Sequence, residues 1–430
     1  MADPTATVDL GKVEPAGSRQ LGRRSSVVVT GDDDPVVVVG DADGALLAYD
    51  VPTDGGPTLR KRWTDAGGAD ADANSVVALA VLGDGASAPP TASGPTPAVV
   101  AGERGPDGAV RAHDLRDGSV RWRYRGADDV GEPADDTRFR LPVVASLATA
   151  AGRTYAAVRR YERGANGRRF ESVVVAVEAD GTLAWRRRVD ASPVAVEADG
   201  DRVAVAYNRC PGDHRDGLVE LAAADGAVRR RWDPPGDGDR RVGDCALVPG
   251  GVVAASHADY RGYRLVADGD GFAVRWRVAL GRPTARDGET VYAYPNHVLA
   301  TDAGPAFVTG NTYPEDGRET DARHPDEHAV AVVDDGSVRR RTSLGGFVHG
   351  AAVAGDSVVV PTAQHFRDRD GDHALSRVDA ATGTVTETPT PGVVTAAAAG
   401  ADLAAAVEEP VAYHDGDGTL GSYRLHVRRR

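Results

Sequence analysis

The chain has 430 residues, with 50 Lys and Arg against 64 Asp and Glu, a net charge of −14. A hydrophobic content of 41% excludes wholesale disorder and supplies a sizeable core. No run approaches the roughly 20 apolar residues of a membrane-spanning helix, and two cysteines, Cys210 and Cys245, make no disulfide framework. In chain order, Thr5–Gly11 (TATVDLG) alternates as a strand should. Short Val/Ala runs follow, such as Val36-Val37-Val38-Val39, Ser172 to Val177 and Asp201 to Ala206, each bounded by Gly, Pro or Asp. Helical periodicity is not evident over any stretch of 12 residues. The Ala-rich segment Thr395 to Ala406 contains Gly400-Ala401-Asp402, which reads as a hairpin turn. The chain is expected to be all-β.

The tryptophans set a period. Trp63, Trp122, Trp185, Trp232 and Trp276 each sit in an Arg-rich strand after an Asp/Gly turn: LRKRW, VRWRY, LAWRR, VRRRW and VRWRV. The segments 335–341 and 382–386 repeat that context without Trp. Self-similarity at about 40–60 residues with four strands per unit predicts a β-propeller. Seven such fourth strands can be counted, after which residues 393–427 hold three more strands and no fourth. Thr5–Gly11 would supply it. The expectation is one domain, a single eight-bladed β-propeller of four-stranded antiparallel blades, with seven blades as the alternative. Residues 1–12 would close the last blade, and the blades would span about 25–64, 75–126, 141–190, 191–235, 241–281, 290–346, 347–392 and 393–430.

The segment Ala112-His113-Asp114-Leu115-Arg116-Asp117-Gly118-Ser119-Val120-Arg121-Trp122 matches A-x-D-x-x-x-G-x-x-x-W. This resembles the repeat of pyrroloquinoline-quinone (PQQ)-like propellers, the quinoprotein alcohol dehydrogenase-like superfamily. Partial copies lie at Ala48-Tyr49-Asp50, at Glu178 with Gly181, at Gly226 and at Asp379 with Gly383. The motif residues read as structural: Gly for the tight turn, Asp for its amides, Trp for the gap between blades. The composition has a second resemblance. With only Lys12 and Lys61 as lysines and no Ile, the chain is similar to proteins of halophilic archaea. An acidic, lysine-poor surface suits multi-molar salt, so the charge says little about partners.

Loops between second and third strands (B–C loops) are the long ones: 102–108, 159–170, 208–217, 257–262, 310–328, 364–373 and 408–421. They carry seven of the 11 histidines. A polar residue avoiding strand interiors would gather there without any function. The functional reading makes that face a binding surface, with His214, Tyr313, His324, His328, His365, Phe366 and His373 as its candidate residues. The insertions 310–328 and 364–373 are expected to form one patch on consecutive blades and to contribute no core strand.

Asp368-Arg369-Asp370-Gly371-Asp372 has calcium-loop spacing but lacks the closing Glu. The Arg-rich outer strands read as edge protection paired with surface Asp, not as a nucleic-acid patch. A phosphate loop, a nucleophile elbow and a zinc-protease motif are all missing from the sequence.

Two functions follow. The first is a non-enzymatic, monomeric scaffold that binds a protein or small ligand and needs no cofactor or metal; the resembled superfamily includes such a member, a propeller lipoprotein of outer-membrane assembly. The alternative is a PQQ- and calcium-dependent dehydrogenase. Many of those enzymes carry adjacent cysteines over the quinone and a Trp beneath it, and this sequence has no adjacent cysteines. A hydrolase or lyase using channel carboxylates with His297 or His349 is a third possibility without a motif. The scaffold is the favoured expectation.

Overall fold

The computed structural model describes residues 5–17, 24–30, 34–52, 58–66, 74–83, 97–164, 167–317, 319–348, 350–365, 372–413 and 418–429. Among them the fold is all-β, with a single four-residue helix, Ala127–Val130. Strands Ser26–Thr30, Val36–Gly40, Leu46–Asp50 and Arg60–Asp65 form a four-stranded antiparallel sheet in chain order. The same order recurs along residues 75–124, 143–189, 192–232 and 242–279. The first two of these join through one residue pair, Val143 with Arg104, and the last two through Arg231 with Gly271. Five-stranded sheets follow over 284–343 and 347–390. The final sheet combines Val393–Ala399, Leu403–Glu409 and Tyr423–Arg429 with Thr5–Gly11 from the chain start. Thr5–Gly11 runs antiparallel to Tyr423–Arg429, pairing Thr5 with Arg428 and Asp9 with Arg424.

The uninterrupted valine runs are explained by burial on both faces. Val37 and Val39 pack with Ala405, Val407 and Leu425 of the last sheet. Val36 and Val38, pointing the other way, pack with Val99 and Ala101 of the next. Successive sheets are therefore stacked face to face. First strands of four of these sheets meet at a cavity of about 190 Å³, lined by Ser25–Val27, Val77–Leu79, Ser146, Leu147 and Thr395–Ala397.

The Trp repeat locks these stacks. The Trp63 indole N–H donates to Leu115 O of the following sheet at 2.8 Å, and Trp185 donates to Ala223 O at 2.9 Å. The motif glycine lies against the preceding sheet's Trp. A Cβ on Gly181, at φ +91°, would sit 2.5 Å from Trp122, and one on Gly118, at φ +77°, 2.7 Å from Trp63. The glycine thus answers to the turn and to its neighbour's indole at once. Asp114 accepts the Arg116 N–H at 2.9 Å, as the turn reading requires. Outer-strand arginines pair with Asp: Arg186 and Arg188 reach Asp129 at 3.2 and 2.8 Å.

Two expectations need correction. Residues 159–170 are not an open loop but the end of a long hairpin, Arg153–Gly164 with Gly167–Glu178. Residues 310–328 and 364–373 do contribute strand, because Gly304–Pro314 and His373–Asp379 run into them. Backbone pairing continued where side chains could still be shared with a neighbour, which turn residues alone do not reveal.

Glu408, in the last sheet, has its side chain wholly out of solvent and accepts from His426 Nε2 at 2.7 Å, Gly392 N–H at 2.8 Å and Ser422 N–H at 3.2 Å. Burial pushes its carboxyl up, but these donors outweigh burial and hold it below its ordinary value. A carboxyl depressed in the folded state stabilises above its unfolded pKa and loses that contribution as pH falls through the folded value. Glu408→Gln should therefore flatten the acid limb of a melting-temperature profile below about pH 4. An unchanged acid limb would show that Glu408 is not linked to folding.

Candidate functional site

The seven candidate residues divide. His214 closes its own loop: its backbone N–H donates to Asp190 at 3.0 Å, its Nε2 lies 2.8 Å from Asp216 O, and its ring rests 4.3 Å from Tyr207. Burial lowers its pKa. His324 is likewise structural. Its Nδ1 accepts from Asp326 N–H at 3.1 Å, so Nε2 carries the proton and donates to Arg282 O at 2.9 Å. The His373 Nδ1 accepts from Gln364 N–H at 2.9 Å, and its Nε2 lies 3.4 Å from the Tyr413 hydroxyl. Phe366 lies outside the described residues, as do Asp368 to Gly371, His349 and His414.

His328 and His365 do come together, on the two insertions expected to share a patch. Their rings are 5.4 Å apart, and His365 Nε2 is 3.5 Å from Glu327. Tyr313, 40% exposed, joins a tyrosine cluster, with its ring 5.8 Å from Tyr292 and 5.7 Å from Tyr294. Tyr260 completes that cluster, and Arg240 lies 4.8 Å over the Tyr294 ring. Burial, and the hydrogen bond that Tyr292 donates to the Tyr294 hydroxyl, push Tyr292 up to about 12.

A further opening on this side was not among the expected residues. A pocket of about 720 Å³ is lined by Arg104, Arg138, Arg159, Arg168 and Arg209, with Tyr161 and Phe170 in its wall. Phe139, 83% exposed, stands at its rim. Among the described lining residues there is no carboxylate. The long hairpin builds one wall: Arg159 and Tyr161 are two apart on one strand, Arg168 and Phe170 on its partner, so all four face one side. The Tyr161 and Phe170 rings meet at 5.5 Å. Arg159 also donates to Ser192 Oγ.

Burial, and then the neighbouring Arg209 charge, lower the pKa of Arg159. Arg209 is lowered by burial and by Arg240 and Arg168, against Asp239 at 3.5 Å. An arginine does not shed its proton at such a site, so the crowding of cations is carried as destabilisation. Isolated bridging of Arg209 with Arg240 links the pocket to the tyrosine cluster.

Elsewhere, Asp244 on Val242–Val248 accepts from Val298 N–H of the following sheet at 3.0 Å, with His297 3.6 Å away. Burial and the Asp244 charge push Glu197 up to about 8. Period-2 placement on first strands could have found this group; the arginine pocket could have been read from the alternation of Arg159, Tyr161, Arg168 and Phe170.

No sequence-family profile and no curated protein matches the chain. Solved structures do. The chain is similar to quinohemoprotein alcohol dehydrogenase from Comamonas testosteroni, with TM-score 0.58 and 12% identity over 99% of this chain and 76% of that one. It is similar to Saccharomyces cerevisiae Sqt1 (TM-score 0.53, 11% identity, 100% of both chains). A europium-containing methanol dehydrogenase gives TM-score 0.53 and 12% identity over 94% and 85%. At such identities these likenesses speak for architecture alone, and the chain is a β-propeller.

Proposed function

We propose that the chain is a non-enzymatic, eight-bladed binding propeller that takes a small polyanion in the arginine pocket. One observation carries this reading: five arginines and no described carboxylate line a pocket of ligand size in a chain whose acids outnumber its bases. Guanidinium groups bind carboxylate and phosphate bidentately, and half-burial strengthens each bond. The aromatic wall and the exposed Phe139 suit the apolar or planar part of such a ligand. The eight-blade reading is supported by the single residue pairs that join each eight-stranded sheet, and the closure reading by the pairing of Thr5–Gly11 with Tyr423–Arg429.

The residues present do not fit the stacked quinone of the resembled dehydrogenases. Cys210 and Cys245 are buried at separate places, and Trp63 and Trp185 hold neighbouring blades together. Likeness to dehydrogenases at 12% identity extends to architecture alone, so it does not favour oxidation chemistry.

Titration calorimetry with pyrophosphate and with citrate tests the reading. Wild-type protein should bind one of them, and a double Arg159→Ala, Arg209→Ala variant should bind about 100-fold more weakly, from roughly 3 kcal/mol of lost charge-assisted bonds. The same variant should melt no lower than wild type, because it relieves cationic crowding. No binding by wild type, or equal binding by the variant, would overturn the proposal.

A further inference from the structure

We infer that Glu327, His328 and His365 form a site for a zinc-class divalent cation, spanning two consecutive units of the fold. One donor atom from each residue lies within 4.8 Å of those of the other two. All three side chains are held out of solvent: the Glu327 and His365 side chains are 7% and 4% exposed, and His328 is 2% exposed. Two imidazoles and a carboxylate are the donor set of three-ligand zinc sites, which leave a fourth position to water or a ligand.

The orientation of each donor is fixed from behind. Asn311 Oδ1 lies 2.6 Å from His328 Nε2 and, as an acceptor, places the proton there, which turns Nδ1 into the lone-pair donor. Thr312 N–H donates to Glu327 Oε1 at 3.1 Å, so Oε2 is the oxygen beside His365. That oxygen is 3.5 Å from His365 Nε2. Tetrahedral donors about 2.0–2.1 Å from zinc lie about 3.3 Å apart, so this pair needs little movement, and the His328 donor closes in from within 4.8 Å. His328 adopts φ +49°, a left-handed conformation uncommon for a residue with a Cβ. Its N–H donates to Gly310 O at 3.2 Å and its carbonyl accepts from Leu344 N–H at 2.8 Å. The turn breaks the alternation that would send adjacent side chains to opposite sides. A simple ion pair accounts for Glu327 and His365; a cation accounts for all three.

Full-length protein, stripped with chelator and dialysed against Zn²⁺, should retain one equivalent and melt at a higher temperature than the stripped form. Co²⁺ in its place should show the intense visible bands of tetrahedral coordination. Glu327→Gln, close in shape to the native side chain, and His365→Ala should each lower affinity at least tenfold. His373→Ala, on the same insertion but outside the triad, should bind as wild type does. Absence of stoichiometric Zn²⁺ in the wild type, or retention of full affinity in Glu327→Gln, would overturn the inference. Circular dichroism of each variant confirms that lost binding is not lost folding.

Discussion

Removal of residues 1–12 should lower the melting temperature of the whole protein and promote self-association. In the proposed closed ring, Thr5–Gly11 is the fourth strand of the last blade, although it comes first in sequence. Without it, Tyr423–Arg429 becomes an open sheet edge, its ladder groups unpaired and available to another chain. Apolar burial is lost with it: Ala6 belongs to the cluster that joins the first and last sheets, and Val8 and Leu10 pack against that cluster. Loss of those side chains and the ladder bonds is on the order of 5 kcal/mol. For a cooperative unit of this length that is roughly 5 °C in melting temperature. Calorimetry with light scattering would measure both effects. If the truncated chain melts with the full one and stays monomeric, the closure proposal fails.

Strand-level features were legible because they are local. The alternation in Thr5–Gly11 and the Gly400–Asp402 turn between Val393–Ala399 and Leu403–Glu409 each depend on a few adjacent residues. The Trp63 repeat was legible for the same reason, though that Gly118 would lie on a neighbour's indole was not. Site residues were harder because their meaning comes from other blades. His324 and His365 look alike in sequence, yet one has both ring nitrogens engaged by backbone and the other meets a carboxylate on the preceding unit. Arg186 reads as an outer-strand cation and Arg159 as the first residue of a surface loop. Arg186 is paired with Asp129, whereas Arg159 faces other arginines across a pocket. Only long-range stacking separates those cases.

Glu409→Ala should be among the most destabilising single substitutions in the chain. Its carboxylate is fully out of solvent and gathers groups from both chain ends. Oε1 accepts from Ser25 Oγ at 2.9 Å and Thr395 Oγ1 at 2.8 Å, and Oε2 from Arg24 Nε at 2.8 Å. Arg24 also donates to Glu14 O at 3.0 Å, and Ser25 Oγ lies 3.0 Å from the Tyr423 hydroxyl. Removing the carboxylate leaves a guanidinium, 13% exposed, without that charge and two hydroxyls without that acceptor. Breaking one side of a buried pair in this way costs about 3–5 kcal/mol, or roughly 3–6 °C in a two-state melt of this length. The loss comes mostly from stranding Arg24, so a double Arg24→Met, Glu409→Leu variant should recover most of it. Recovery would locate the cost in the uncompensated charge. Failure to recover, with Glu409→Ala as low as expected, would place it in the bonds to Ser25 and Thr395, and a wild-type melting temperature for Glu409→Ala would show that this polar knot does not hold the chain ends together.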